Sequence, residues 1–156
     1  MHGSEPWSAE RGAEIIERHR HGEGALLPLL HAVQAAFGHV PEDAVRMAAA
    51  ALNLSRAEVF GVVSFYHDFR AAPAGRHVLK LCQAEACQAM GCRALTAHVT
   101  ERLGVGPGGT TGDGRVTVEA TYCLGLCATA PSAMLDGQVL GRLTPARLDA
   151  ALERLA

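Results

Sequence analysis

Hydrophobic residues recur at helical spacing through the first half of the chain. Ser8 precedes a segment in which Ile15 and Ile16 lie on one side, and this predicts a capped helix over Ala9–Arg20. An apolar run over about Ala25–Phe37 predicts a second helix, with a glycine directly after it as the expected end. Both helices need a core to cover their apolar sides.

Two further helices are predicted before residue 74. Pro41 suits the start of a helix whose Ala and Val residues form one apolar stripe. Ser55 and Glu58 have the spacing of a capping box, at the start of the segment SRAEVFGVVSFYHDF. We therefore expect residues 1–74 to form an N-terminal helical lobe, connected to the rest of the chain by RAAPAGR.

The hydrophobic pattern changes after this connection. His77–Cys82 is short and mostly apolar, as in a buried strand, and a helix is predicted over about Gly91–Leu103. Alternating residues in RVTVEATYC predict a second strand that ends at Cys123. Asp136-Gly137 lies between two apolar runs and indicates a hairpin, and Thr144-Pro145 begins a last helix. The expected class is therefore α+β, with a small α/β domain over residues 75–156.

Composition and charge limit the function classes. The chain has 156 residues, 49% hydrophobic and 19% charged, which is typical of a globular protein. A net charge of −2 gives no basic excess for nucleic acid. The sequence has no apolar run of membrane-spanning length and no pattern of a signal peptide. We therefore expect no nucleic-acid partner, no membrane span and a cytoplasmic location, where thiols stay reduced.

Four of the five cysteines form two pairs at the ends of the two predicted strands. Four residues lie between Cys82 and Cys87, and three lie between Cys123 and Cys127. Neighbouring strands lie about 5 Å apart, so two strand ends can bring their following loops together. We expect the four thiols to meet in one pocket.

Several ligands remain open for these thiols. A [2Fe–2S] cluster takes two thiolates per iron and suits loops of this size, with Gly125 allowing a tight turn between the second pair. Structural zinc is the second candidate, although its paired ligands are usually in tighter knuckles and the chain has no C-x2-C. The third alternative is redox thiols or thiols that are paired by accident, and the absence of C-x-x-C disfavours a thioredoxin-type dithiol.

The fifth cysteine has a different pattern. Cys92 lies on the apolar stripe of the predicted helix Gly91–Leu103, and a free cysteine is commonly a small buried hydrophobe. We therefore expect it to pack and not to bind the metal group.

Other segments indicate less. The aromatic residues of Phe60–Arg70 are typical of a core and of a docking surface alike. GVGPGGTTGDG reads as a flexible loop and lacks the residues of a nucleotide-binding loop. No nucleophile–base pair or carboxylate pair is visible, so no catalytic residue is predicted.

The order of these motifs is that of a known family. CQAEAC followed by YCLGLC, behind LLPLLHAVQAAFGHVPEDAV and VFGVVSFYHDFR, resembles the thioredoxin-like [2Fe–2S] ferredoxin family. The resemblance runs from about Ala25 to Leu155. The family includes small cluster subunits of complex I, of NAD-reducing hydrogenases and of NAD-dependent formate dehydrogenases. FYHDFR, CQAEACQAMG and GRLTPARLDA are most similar to the gamma subunit of the soluble formate dehydrogenases.

The resemblance carries specific expectations. It implies a thioredoxin-like fold for residues 75–156 and one [2Fe–2S] cluster bound by Cys82, Cys87, Cys123 and Cys127. It also implies an electron-transfer subunit that does not turn over substrate alone. Its partners would be an NAD-binding subunit with FMN and a [4Fe–4S] cluster and, in a formate dehydrogenase, a molybdopterin subunit. The alternatives are the equivalent subunit of complex I or a hydrogenase, and a zinc-stabilised binding module.

Overall fold

Four helices form the first part of the chain in the computed structural model, which describes residues 5–155. They are α1 (Ala9–His19), α2 (Leu26–Phe37), α3 (Glu42–Leu52) and α4 (Arg56–Phe65). The caps explain their bounds. The Ser8 side chain accepts a hydrogen bond from the Arg11 N–H, and Gly38 ends α2 with a φ of +75°. Ser55 and Glu58 form both hydrogen bonds of the predicted capping box.

The helical unit has its own core. Leu29, Leu30, Val33 and Phe37 of α2 are essentially fully buried. Of the aromatic segment, Phe69 is buried while Phe60 and Phe65 are exposed. Contacts between α-carbons group this unit up to Pro73, and a second unit begins at Ala74.

The second unit contains a four-stranded sheet, three α-helices and a 3-10 helix over Cys127–Thr129. Its strands and α-helices are β1 (His77–Cys82), α5 (Glu85–Ala89), α6 (Cys92–Leu103), β2 (Val116–Thr121), β3 (Ala133–Leu135), β4 (Gln138–Leu140) and α7 (Pro145–Glu153). The sheet order is β2-β1-β3-β4, with β1 and β2 parallel and the other pairs antiparallel. Seven α-helices and a mixed sheet within residues 5–155 confirm the predicted α+β class.

Side chains of the sheet and of α6 and α7 form the core of this unit. Leu79, Val116, Val118 and Leu148 are fully buried there. The hairpin turns at Asp136-Gly137, both with positive φ, as the sequence predicts. No helix in the described part of the chain is both long and apolar enough to cross a membrane.

Two features of this unit differ from what the sequence predicts. The helix α5, five residues long, was not predicted, and it separates Cys82 from α6. The glycine-rich loop is held in place and not free, because Gly108 N–H donates to the Val118 carbonyl and Thr110 pairs with Thr117 beside β2.

Candidate functional site

The pairing of β1 with β2 brings the two cysteine loops to one edge of the sheet. The strands are parallel and Cys82 lies opposite Thr121, so both strands end at this edge. The Gln83 N–H continues the pairing with a 2.7 Å hydrogen bond to the Thr121 carbonyl. Cys123 follows two residues after Thr121. The predicted meeting of the two strand exits is observed.

The first pair of cysteines is buried. Cys82 is 2% exposed at the end of β1, and Cys87 is 1% exposed on α5. Cys92 joins them in a small buried group, against which Leu124 packs from the second loop. The short helix α5 therefore turns Cys87 inward, beside Cys82.

The surroundings of Cys82 oppose each other in their effect on its thiol. Burial alone would raise the pKa of the Cys82 thiol, but hydrogen bonding with the Ala84 backbone, Cys87, the Leu124 backbone and Ser132 holds the pKa below its ordinary value. Leu124 of the second loop also packs against the buried cysteines of the first.

The second pair is exposed. Hydrogen bonding with Cys123 and the charge of Cys123 raise the pKa of the Cys127 thiol. Burial and the charges of Cys87 and Cys82 raise the same pKa further. We find one buried pair and one exposed pair.

The loop between Cys123 and Cys127 has an unusual backbone. Gly125 has a φ of +73° and its N–H donates to Cys123 Sγ at 3.3 Å. Cys123 itself has a φ of +139°, a conformation that favours glycine. Such strain costs about 1–3 kcal/mol and is concentrated at functional sites. A cysteine at a position that favours glycine indicates that the thiol of Cys123 has a function.

The donor set can be tested against the metal groups that the sequence left open. Within residues 5–155, no group of three or more His, Cys, Asp or Glu side chains is gathered closely enough to hold a metal ion. The two pairs offer four thiols from two loops, with the Gly125 N–H aimed at Cys123. This set fits a two-iron cluster, which takes two thiolates per iron and is stabilised by hydrogen bonds to sulfur.

Cys92 is buried as expected, but its neighbours were not expected. It is the first residue of α6 and packs against Cys82 and Cys87, not against the main core. Burial raises the pKa of its thiol, and so do the nearby charges of Cys87 and Cys82. Its Sγ donates to Gln83 Oε1 at 3.6 Å. The assignment of Cys92 as a packing residue remains a prediction.

Sequence reasoning missed Ser132. It is 3% exposed, directly before β3, and its Oγ lies 3.4 Å from Cys87 Sγ. A polar residue between Pro131 and the apolar strand β3 is the only sequence signal, and such a serine is usual in loops. Only the tertiary structure places it beside the cysteines.

Comparison with known proteins gives a consistent set of relatives. The family model described as thioredoxin-like [2Fe-2S] ferredoxin matches residues 12–156. One relative is a subunit of the NADH-quinone oxidoreductase of Escherichia coli (strain K12). It is 36% identical over 149 residues, which cover 94% of this chain and 90% of that protein. Another is the HndA subunit of the NADP-reducing hydrogenase of Solidesulfovibrio fructosivorans. It is 33% identical over 135 residues, covering 86% of this chain and 79% of that protein.

A solved structure agrees with these sequence matches. The crystal structure of NAD+-reducing [NiFe]-hydrogenase in the air-oxidised state superposes with a TM-score of 0.71 and 32% identity. The match covers 89% of this chain and 24% of that one. The present chain therefore spans about a quarter of the matched hydrogenase chain.

Proposed function

The chain belongs to the thioredoxin-like [2Fe–2S] ferredoxin family, and from that premise we propose that it is an electron-transfer subunit of an NAD(H)-linked oxidoreductase complex. The family binds a [2Fe–2S] cluster, as the motifs indicated. The observation that carries the proposal is the parallel pairing of β1 with β2, which brings the two cysteine loops to one edge of the sheet, where Leu124 packs against Cys82 and Cys87. This arrangement supports a single site for both pairs of thiols.

Cys82, Cys87, Cys123 and Cys127 would hold the cluster. When bound, a [2Fe–2S] cluster accepts or donates one electron at a time. The residues of this chain supply the surroundings. The N–H groups of Ala84, Leu124 and Gly125 stabilise negative charge on the sulfurs, and the buried Cys82–Cys87 side excludes water.

The exposed half of the site is the side from which we propose that electrons arrive or leave. Cys123 and Cys127 are exposed, whereas Cys82 and Cys87 are covered by the chain itself. The proposed partner is an NAD-binding subunit that carries FMN and a [4Fe–4S] cluster, so that the flavin lies near this exposed side. The chain then works as a subunit and does not turn over substrate alone.

The finer proposal is a cytoplasmic NAD-dependent formate dehydrogenase, in which a molybdopterin subunit oxidises formate to CO2 and NAD+ is reduced to NADH. Its support is the resemblance of FYHDFR, CQAEACQAMG and GRLTPARLDA to the gamma subunits of those enzymes. The five free cysteines agree with a reducing compartment. The alternative is the equivalent subunit of complex I or a hydrogenase, as the names of the relatives suggest.

The experiment is purification of the complex that contains the full chain from its native host. Formate-dependent reduction of NAD+, with molybdenum in the complex, is the expected result. Hydrogen-dependent reduction of NAD+ would contradict the formate dehydrogenase proposal in favour of a hydrogenase, and NADH oxidation by quinone would do so in favour of complex I. A chain that purifies without any flavin-containing partner would contradict the electron-transfer proposal.

A further inference from the structure

Ser132 is a buried polar residue at the closed side of the cysteine site. It is 3% exposed and lies directly before β3, whose pairing with β1 holds it next to the end of β1. Its backbone carbonyl accepts a 3.1 Å hydrogen bond from the Cys82 N–H. The position of Ser132 relative to Cys82 is therefore set by the sheet.

The hydroxyl of Ser132 is within reach of the Cys87 sulfur. Its Oγ lies 3.4 Å from Cys87 Sγ. Between a free thiol and a hydroxyl, either atom can donate. A thiolate that binds a metal has no proton, so the hydroxyl is then the only possible donor. In the contact with Cys87, the donor is then the Ser132 hydroxyl.

We infer that Ser132 is a positioning residue whose hydroxyl donates to the sulfur of Cys87 and thereby raises the reduction potential of the bound cluster. The inference rests on the proposed function. Reduction adds negative charge to the cluster and its thiolates, so a donor aimed at sulfur stabilises the reduced form more than the oxidised form. Burial strengthens the effect, because no water competes for the hydroxyl or the sulfurs.

The Ser132 hydrogen bond comes from a side chain, so a substitution can remove it. Ala84, Leu124 and Gly125 act on Cys82 and Cys123 through backbone N–H groups, which every residue except proline provides. Ser132 is different, because an alanine removes its proton and leaves the backbone donors in place. A change at this position can therefore set the potential without altering the ligands.

The test compares Ser132→Ala, Ser132→Thr and the unaltered full chain, each loaded with iron and sulfide. Ser64→Ala is the matched control, because its hydroxyl is exposed and donates to the Gly61 carbonyl in the helical unit. Redox titration followed by the EPR signal of the reduced cluster gives the midpoint potential. We expect Ser132→Ala to lower the equilibrium constant for reduction roughly threefold to tenfold, where tenfold equals about 59 mV for one electron. Ser132→Thr should restore most of the loss, and Ser64→Ala should change nothing.

The outcomes separate this inference from the proposed function. An unaltered chain that takes up no iron and sulfide overturns the proposed function, whereas a Ser132→Ala chain with an unchanged potential overturns only the role of Ser132. Where Ser132→Ala binds no cluster, Ser132→Val is compared with Ser132→Thr, because the two side chains have nearly the same shape and only threonine keeps the hydroxyl. The midpoint potential of Ser132→Val should be the lower of the two, and equal potentials would contradict the role of the hydroxyl.

Discussion

The role of Cys92 can be decided by comparing it with Cys87. Both thiols are buried, at 3% and 1% exposure, and both belong to the same small group of buried cysteines. Substituting either residue by alanine removes one sulfur atom from a similar buried environment. The two variants should therefore lose similar packing, while only one of them loses a cluster ligand.

The expected packing loss follows from burial. Removing one buried group the size of a methylene costs about 0.8 kcal/mol in transfer free energy, and the remaining cavity raises the total to about 1–2 kcal/mol. The contact of Cys92 with Gln83 Oε1 is long, at 3.6 Å, and adds little. Both Cys92→Ala and Cys87→Ala should lower the free energy of unfolding of the iron-free chain by this amount.

Two assays on the same preparations separate packing from ligation. Urea unfolding of the iron-free chains measures the packing loss, and iron content after loading measures ligation. We expect Cys92→Ala to retain about as much iron as the unaltered chain and Cys87→Ala to lose most of it. Equal loss of iron from both variants would refute the assignment of Cys92, since packing alone would then not distinguish the two thiols.

Three further predictions follow from the backbone and the surface. Because Cys123 has a φ of +139°, Cys123→Gly should be more stable than Cys123→Ala by about 1 kcal/mol in urea unfolding of the iron-free chain, although both lose the cluster. Burial opposes the low pKa of Asp136, but hydrogen bonds from His77 and the Val78 N–H outweigh it. The ionised Asp136 therefore stabilises the fold at pH values above its unfolded pKa, and this contribution is lost as the pH falls through its folded pKa. Asp136→Asn should lack this contribution, which we expect to be less than about 1 kcal/mol of unfolding free energy. Ser55→Ala should lower the unfolding free energy by about 1 kcal/mol through loss of the α4 cap.

Each of these has an outcome that would contradict it. Equal stability of the two Cys123 variants would show that the backbone there is not strained in solution. An Asp136→Asn chain with the same acid unfolding curve as the unaltered chain would show that the pair with His77 adds no stability. Loss of stability in Ser64→Ala as large as in Ser55→Ala would show that hydroxyl loss, and not capping, is responsible.

Local patterns were sufficient to predict most elements and the edge of the sheet at which the two cysteine loops begin. The capping box of Ser55 and Glu58 and the turn at Asp136-Gly137 are local chemistry, and each appears as expected. The prediction that β1 and β2 are neighbours depended on two short apolar segments that end in cysteine. The observed parallel register places Cys82 opposite Thr121 and brings both loops together.

The features that were missed depend on contacts between distant residues. Helix α5 has only five residues, too few for a helical hydrophobic pattern to be visible. Ser132 lies 45 positions from Cys87, and only the β1–β3 pairing brings them together. Cys92 was correctly expected to be buried, but its neighbours Cys82 and Cys87 could not be inferred from a stripe on one helix.

The central claim is that two pairs of cysteines hold one [2Fe–2S] cluster. The most direct test is metal and sulfide analysis of the purified full chain, together with EPR before and after reduction. The proposed site predicts a brown protein with about two irons and two sulfides per chain and an EPR signal that appears only on reduction. A colourless protein with one zinc and no sulfide would contradict the claim and would support the zinc-stabilised binding module instead.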